Sequence, residues 1–293
     1  MNSRQDRIFH PDAARVRQAF NRSAKSYDNS AVLELEVMER LLQRLDLVRL
    51  EPELILDAGA GTCRAIPNLR RRYPASRILA VDFAERMVAA APPSIDGQHA
   101  ICADLARLPL PDDSVDLVFC NLALPWVTDI DRVFGEFYRV LKPRGLVGFS
   151  SYGPDTLYEL RLAWSATDAG RRFMEFPDMH NIGDALVHSG LAEPVMDAEH
   201  FTLTYDSVRN LLDDLIDTGA QNVIQGTMPK LVSGQNVRAL ADAYEGFRHQ
   251  GKLPATYEVV YGHAWGPIEK RARPVGPGEF RIPASGIGLR RKD

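Results

Sequence analysis

Cysteine is scarce, with 3 in 293 residues. Cys63, Cys102 and Cys120 do not share a metal-ligand spacing, so no metal site is expected. Cys102 and Cys120 fall in apparent strands and are expected to be buried thiols, which suits a reducing cytoplasm. No apolar run approaches the ~18 residues of a membrane span. The start, Met1 to Arg7, lacks an apolar core, so no signal peptide is expected. There is also no excess of positive charge. The 35 basic and 39 acidic residues leave a net −4, so nucleic acid is not an expected partner, and neither is a membrane. What remains is a globular balance, 45% hydrophobic and 25% charged, long enough for one large domain or two small ones.

The chain is organised around residues 54–63. Leu54, Ile55 and Leu56 form a short apolar run that ends in Asp57 and reads as a buried strand. Gly59 and Gly61 then alternate with small residues, where a backbone can turn sharply and approach a ligand. Pro67 falls in the first turns of the expected next helix, a tolerated place. Residues 77–81 read as the following strand and end in Asp82, about the spacing at which an acid meets ribose hydroxyls in nucleotide-binding βαβ units. Asp57 and Asp82 also have a plain reading as turn residues.

Strand and helix alternate through residue 151. Strands are expected at 54–57, 77–82, 98–102, 115–120 and 146–151, and helices at 65–73, 84–91 and 129–141. This pattern argues for a parallel sheet covered on both faces. Pro143 and Gly145 mark a turn. Before this block, apolar spacing predicts helices at 11–27, capped by Asp12, and at 30–50. After it, helices are expected at 155–170, 179–189, 206–219 and 236–249, with strands at 192–205 and 256–264. About 50 residues separate those last two strands, too many for a plain loop. They read as a helical lid. The division expected is a helical cap at 1–50, the main domain at 51–265 with lid segments near 155–189 and 206–250, and a Pro/Gly/basic tail at 266–293.

Five blocks in order, D-A-G-A-G-T-C at 57–63, A-V-D-F at 80–83, C-A-D-L at 102–105, D-L-V-F-C-N-L-A-L at 116–124 and R-V-L-K-P-R-G at 139–145, resemble the class I methyltransferases. The resemblance implies an α/β, Rossmann-like sheet of seven mostly parallel strands, and S-adenosyl-L-methionine as cofactor with S-adenosyl-L-homocysteine as product. One departure is Cys63, where many members have a third glycine. The resemblance implies that Asp57, Gly59, Gly61, Asp82 and Phe83 bind cofactor. It further implies that Asp104 contacts the adenine amino group and Leu105 stacks on the ring. A capping role is the plain alternative for Asp104. Asn121 to Trp126 follow the fourth strand, where donor and acceptor should meet. Trp126 is a candidate pocket wall or a core residue.

The remaining stretches resemble the malonyl-acyl-carrier-protein O-methyltransferases of biotin synthesis, the BioC family. They are Ser26-Tyr27-Asp28, D-T-L-Y-E-L-R at 155–161, F-P-D-M-H-N-I-G-D-A-L at 176–186, P-V-M-D-A-E at 194–199, D-D-L-I-D-T-G-A-Q-N at 213–222 and T-Y-E-V-V-Y-G-H-A-W at 256–265. Other departures are Glu34, often Gln in the family, and Asn181, often Asp. The implied reaction is methylation of the free carboxylate of malonyl held on acyl carrier protein, an acidic partner. Tyr27 and Asp28 are candidates to close over the cofactor, with Tyr27 near the chemistry; a helix-end Tyr packed on the core is the alternative. Arg161 is the candidate to hold the carboxylate, with Arg171 and Arg172 behind it, because a guanidinium fork fixes a carboxylate plane. Arg290, Arg291 and Lys292 join these as docking candidates. His180 is a candidate substrate contact, with a structural histidine as its alternative. Two competing readings are an oxidative protein-arginine hydroxylase of the kind that assists respiratory complex I assembly, which resembles this family, and a non-catalytic S-adenosylmethionine-binding homologue.

Overall fold

The computed structural model describes residues 12–91, 98–167, 173–224, 235–269, 274–276 and 279–280. Arg171, Arg172, Arg290, Arg291 and Lys292 lie outside them. Seven strands form one sheet: β1 (Leu54–Ala58), β2 (Arg77–Asp82), β3 (Gln98–Cys102), β4 (Val115–Cys120), β5 (Leu141–Tyr152), β6 (Ala192–Tyr205) and β7 (Leu253–Trp265). Their order is β3-β2-β1-β4-β5-β7-β6. The first five pair in parallel, and β7 runs antiparallel to both β5 and β6. The order reverses between β1 and β4, so their C-terminal ends open a crevice.

Neighbouring residues of a strand face opposite sides of the sheet, and both sides are buried. On one side Ile55, Leu117 and Phe119 join a core with α3 (Val32–Arg44) and α4 (Ile66–Arg72). On the other, Leu56, Val118 and Phe149 pack with Phe134 and Phe137 of α6 (Ile130–Val140). The expected turn at Pro143 and Gly145 lies inside β5. There Arg144 has φ 63°, and the register against β4 slips between Val115 and Leu117. Gly145 accepts from the Gly266 amide at 2.7 Å, which ties the end of the domain to this bulge.

At the N-terminus, α1 (Ala13–Ser23) is capped by Asp12, whose carboxylate accepts from Arg15 N at 3.0 Å. A single turn, α2 (Tyr27–Ser30), separates it from α3. The other helices are α5 (Glu85–Ala89), α7 (Tyr158–Ser165), α8 (Met179–Ser189), α9 (Val208–Asp217) and α10 (Gln235–Tyr244). The segment read from sequence as lid divides. Apolar residues of α7, α9 and α10 join the core beneath α3, whereas Ile182 and Leu186 of α8 join the α6 side. The segment after α1 touches the end of α9 where Ser26 Oγ donates to the Asp217 carbonyl at 3.1 Å. Gly219, at φ 79°, allows that approach: a Cβ there would stand 2.8 Å from both Phe20 and Ser23. Among the described residues no helix is long and apolar enough to cross a membrane.

One expectation is corrected. Cys120 is buried, but Cys102 is exposed. It ends β3, the edge strand of the sheet, which has a neighbouring strand on one side only. Its thiol points at the Phe83 carbonyl, 3.6 Å away.

Candidate functional site

β1 ends at Ala58, and the loop beyond it turns through Gly59 at φ 74° and Gly61 at φ 54°. Gly59 N and Ala60 N both donate to the Val81 carbonyl, at 2.7 and 3.0 Å, which folds the loop over the end of β2. A Cβ on Gly59 would stand 2.2 Å from Ala123 Cβ, so that position admits no side chain. Cys63, the departure from the third glycine, has φ 64°. It holds the left-handed conformation that glycine would adopt without strain.

Above this loop lies a cavity of about 120 Å³. Tyr27, Gly59, Gly61, Asp82, Phe83, Asp104, Leu105, Asn121 and Trp126 all line it. Asp82 is nearly buried, and its two carboxylate oxygens accept from Gly61 N at 2.9 Å and Ala84 N at 2.8 Å. Burial pushes its pKa up, opposed by these amides. Each oxygen keeps a second lone pair, so the carboxylate can still accept two hydroxyls. Asp104 combines its two readings: it accepts from Ala106 N at 2.8 Å as a cap and also faces the cavity beside the buried Leu105. Trp126 meets Phe20 edge-on at 5.4 Å, and Phe20 meets Phe83 at 6.1 Å, forming one aromatic wall.

Asp57, in β1, does not line the cavity. It is 2% exposed, and its Oδ2 has no hydrogen-bond partner. Burial, then the Asp82 charge, push its pKa up to about 7. Asp28 does not line the cavity. It accepts from the Thr62 hydroxyl at 2.5 Å and faces Arg64 at 3.5 Å. Tyr27, its neighbour, brings Cε1 within 3.9 Å of where a Gly61 Cβ would stand.

Arg161 and His180 stand apart. The Arg161 guanidinium donates to the Pro154 carbonyl at 3.0 Å, and the residue lines no described cavity. α7 follows the left-handed Leu157 (φ 56°); its Leu160, Ala163 and Trp164 join the core, while Arg161 is half-buried. His180 is exposed on α8, the helix on the α6 side of the sheet.

Several lining residues were not read from sequence as site residues: Phe20, Glu34, Tyr152, Thr218 and Ala220. Their local patterns are those of core or helix surface, and only the tertiary arrangement brings them to the strand ends. Glu34 is pushed up to about 7 by burial, reinforced by the charge of Asp214. The lining includes the carboxylates of Glu34, Asp82, Asp104 and Asp129, and among the described residues no Lys or Arg. Such a cavity suits a cationic ligand that also carries hydroxyls.

Residues 56–149 match the model of a methyltransferase domain family. Over 94% of this chain and 96% of its own length, a malonyl-(acyl-carrier protein) O-methyltransferase of Methylovorus sp. (strain MP688) is 47% identical. The protein of that name from Gallionella capsiferriformans (strain ES-2) is 45% identical over 89% of this chain and 93% of its own. Among solved structures, a SAM-dependent methyltransferase from Thermotoga maritima aligns with a TM-score of 0.51 at 16% identity, covering 86% of this chain and 99% of its own. The strand order, the glycine loop and these matches define a class I S-adenosylmethionine-dependent methyltransferase. Within that class, the chain belongs to the malonyl-(acyl-carrier protein) O-methyltransferase family. The residues present fit the cofactor: the glycines leave a backbone cradle, the acids oppose a cation, and Asp57 offers an unpartnered oxygen beneath the loop.

Proposed function

We propose that the protein transfers the methyl group of S-adenosylmethionine to the free carboxylate of malonyl-acyl carrier protein, giving the malonyl methyl ester that would prime biotin synthesis. The observation that carries this reading is family membership over nearly the whole chain, cap and lid included. When bound, the cofactor supplies a methyl group on a sulfonium, which a nucleophilic oxygen displaces. Asp82 would hold the ribose hydroxyls, Asp104 and Leu105 the adenine, and the amides and acids around Gly59, Gly61 and Asp57 the amino-acid end. Tyr27, Asp28, Asn121 and Trp126 would close the reacting side. No metal takes part in this reading.

A malonyl carboxylate is ionised near neutral pH, as model carboxylates are, so no general base is needed. The protein's part is alignment and exclusion of water. The opposite charges of donor and acceptor vanish together in the reaction. Low local dielectric therefore favours the transition state over the separated ions. The aromatic wall of Phe20, Phe83 and Trp126 supports such an environment.

The carrier protein would dock at the cavity mouth. Arg15, Arg17, Arg22 and Lys25 are exposed on and just after α1, the helix whose Ala13 and Phe20 line the cavity. None of the four forms an ion pair among the described residues. A basic rim of this kind suits an acidic partner. A cytoplasmic location follows from this partner and substrate.

The test is mass spectrometry of malonyl-acyl carrier protein after incubation with enzyme and methyl-labelled donor. One labelled methyl on the malonyl group, with S-adenosylhomocysteine as co-product, is expected. Cofactor binding without any transfer would favour the non-catalytic reading. Oxygen added to a protein arginine would favour the hydroxylase.

A further inference from the structure

A second, smaller cavity opens directly behind the first. Its volume is about 20 Å³, room for one or two water-sized groups. The two share Glu34, Tyr152, Thr218 and Ala220, which form the neck between them. The inner chamber is lined by Leu33, Leu157 and Phe176 together with the polar Ser30, Thr156, Asp214 and Tyr257. Of the main cavity's lining, Asn121 reaches Glu34 at the neck, its Nδ2 donating to the Glu34 carbonyl at 3.0 Å, and Tyr27 feels the Glu34 charge.

We propose that Glu34, with the hydroxyls of Tyr27 and Tyr152, seats the acceptor's terminal carboxyl group at this neck. The inference rests on the functional reading above and names the residues that select its acceptor. The chemistry at the neck is that of hydrogen-bond donation. Tyr27 and Tyr152 are held well above the ordinary tyrosine pKa by burial and by the charge of Glu34 among others, so both keep their protons. An ionised Glu34 would repel a carboxylate; a protonated one donates to it. Because Glu34 changes between these states near pH 7, it decides whether an anionic acceptor can enter. The small chamber behind it admits a terminal carboxyl and little more, which would favour a short diacid end over a long acyl chain.

The groups facing Glu34 come from every packed element: Tyr27 from α2, Tyr152 from β5, Tyr205 from β6, Asp214 from α9 and Tyr257 from β7. The tyrosines are all shifted upward, out of the working range. Asp214 accepts from Tyr205 at 2.7 Å. Asp57 also titrates near 7, so the Glu34 contribution must be read as a difference between variants.

The experiment measures kcat/KM for malonyl-acyl carrier protein from about pH 6 to pH 8 in wild type, Glu34→Gln and Tyr152→Phe. A parallel series measures carrier-protein affinity by fluorescence anisotropy with S-adenosylhomocysteine present. Wild type should lose about tenfold in both quantities across this range, as one essential proton is lost. Glu34→Gln, a permanently neutral donor, should hold both within about twofold over the same range. Tyr152→Phe should raise KM about tenfold while its affinity for S-adenosylhomocysteine stays within about twofold of wild type. A Glu34→Gln profile that overlays wild type, or a Tyr152→Phe variant with unchanged KM, overturns the assignment. So does loss of carrier affinity on replacing Arg161, Arg171 or Arg172 while Glu34→Gln keeps the wild-type pH dependence. Absence of any methyl ester with wild type at pH 6 would instead sink the functional reading.

Discussion

Asp28 accepts a hydrogen bond from the Thr62 hydroxyl at 2.5 Å, which fastens the turn carrying Tyr27 to the glycine loop. The cap is thus held to the cofactor loop by a contact between residues 34 positions apart. Thr62→Val keeps the shape and removes the donor. Because the Asp28 side chain is 42% exposed, the expected effect is modest, about 1 kcal/mol or fivefold weaker S-adenosylhomocysteine binding. Asp28→Asn should act in the same direction. A double-mutant cycle by calorimetry checks whether the two losses fail to add, as they must if the residues act through one bond.

Asp82 is the second point of attachment. Asp82→Ala removes a charged acceptor facing the cavity and also leaves the Gly61 and Ala84 amides without their partner. Charged hydrogen bonds contribute about 1.5–3 kcal/mol each. Calorimetry should therefore show at least about tenfold loss of cofactor affinity, with the circular dichroism of the folded protein retained. Unchanged affinity would remove Asp82 from the ribose assignment.

Cys63 and Cys120 are both buried, yet they should respond differently to glycine. Cys120 ends a central strand, where glycine loses packing and adds chain entropy, so Cys120→Gly should cost about 2 kcal/mol or more. Cys63 sits at φ 64°, where glycine relieves about 1 kcal/mol of backbone strain. Cys63→Gly should therefore stay within about 1 kcal/mol of wild type in urea unfolding. Equal losses at the two positions would contradict the strain at Cys63.

Asp57 makes the cofactor-free protein sensitive to pH. Its folded pKa, about 7, is raised above the unfolded value, so the folded state holds more protons between about pH 4 and pH 7. Stability from this group is present at low pH and is lost as pH rises through about 7. Asp57→Asn should flatten the decline of Tm between pH 5 and pH 7.5, measured without ligand. A slope identical to wild type would exclude Asp57 as its source.

The exposed basic residues on and just after α1 predict salt-sensitive docking. Exposed charges are screened over about 8 Å at physiological ionic strength, so KM for malonyl-acyl carrier protein should rise steeply with salt. Replacing Arg17 and Arg22 by Glu should raise KM about tenfold at low salt and leave cofactor affinity alone. The variant and wild type should converge near 0.5 M salt. Salt-independent KM values would place docking elsewhere.

Much of the fold was legible because its signals are local. Leu54, Ile55 and Leu56 announce a buried strand through hydrophobicity alone, and Gly59, Gly61 and Pro67 mark a turn and a helix start through backbone conformation. The seven strands of the sheet and most helices around it were expected near their observed bounds, although β5 begins at Leu141, five residues before the expected start, and the short α2 was read as a break; Asp82 and Asp104 follow strands as the pattern of acids suggests. What a local signal cannot carry is which surfaces meet. Glu34 looks like any polar residue off the apolar stripe of α3, and only packing against β5, β7 and α9 buries it and moves its pKa. Arg161 has the right chemistry for a carboxylate, but its guanidinium is bonded to the Pro154 carbonyl and lines neither cavity. Cys102 reads as a buried strand residue, and only the strand order leaves it on an open edge. Residue type and spacing determined the elements and the cofactor loop of this protein. Which residues meet at the neck between the two cavities was decided by the tertiary structure, because burial and charge depend on neighbours far away in the chain.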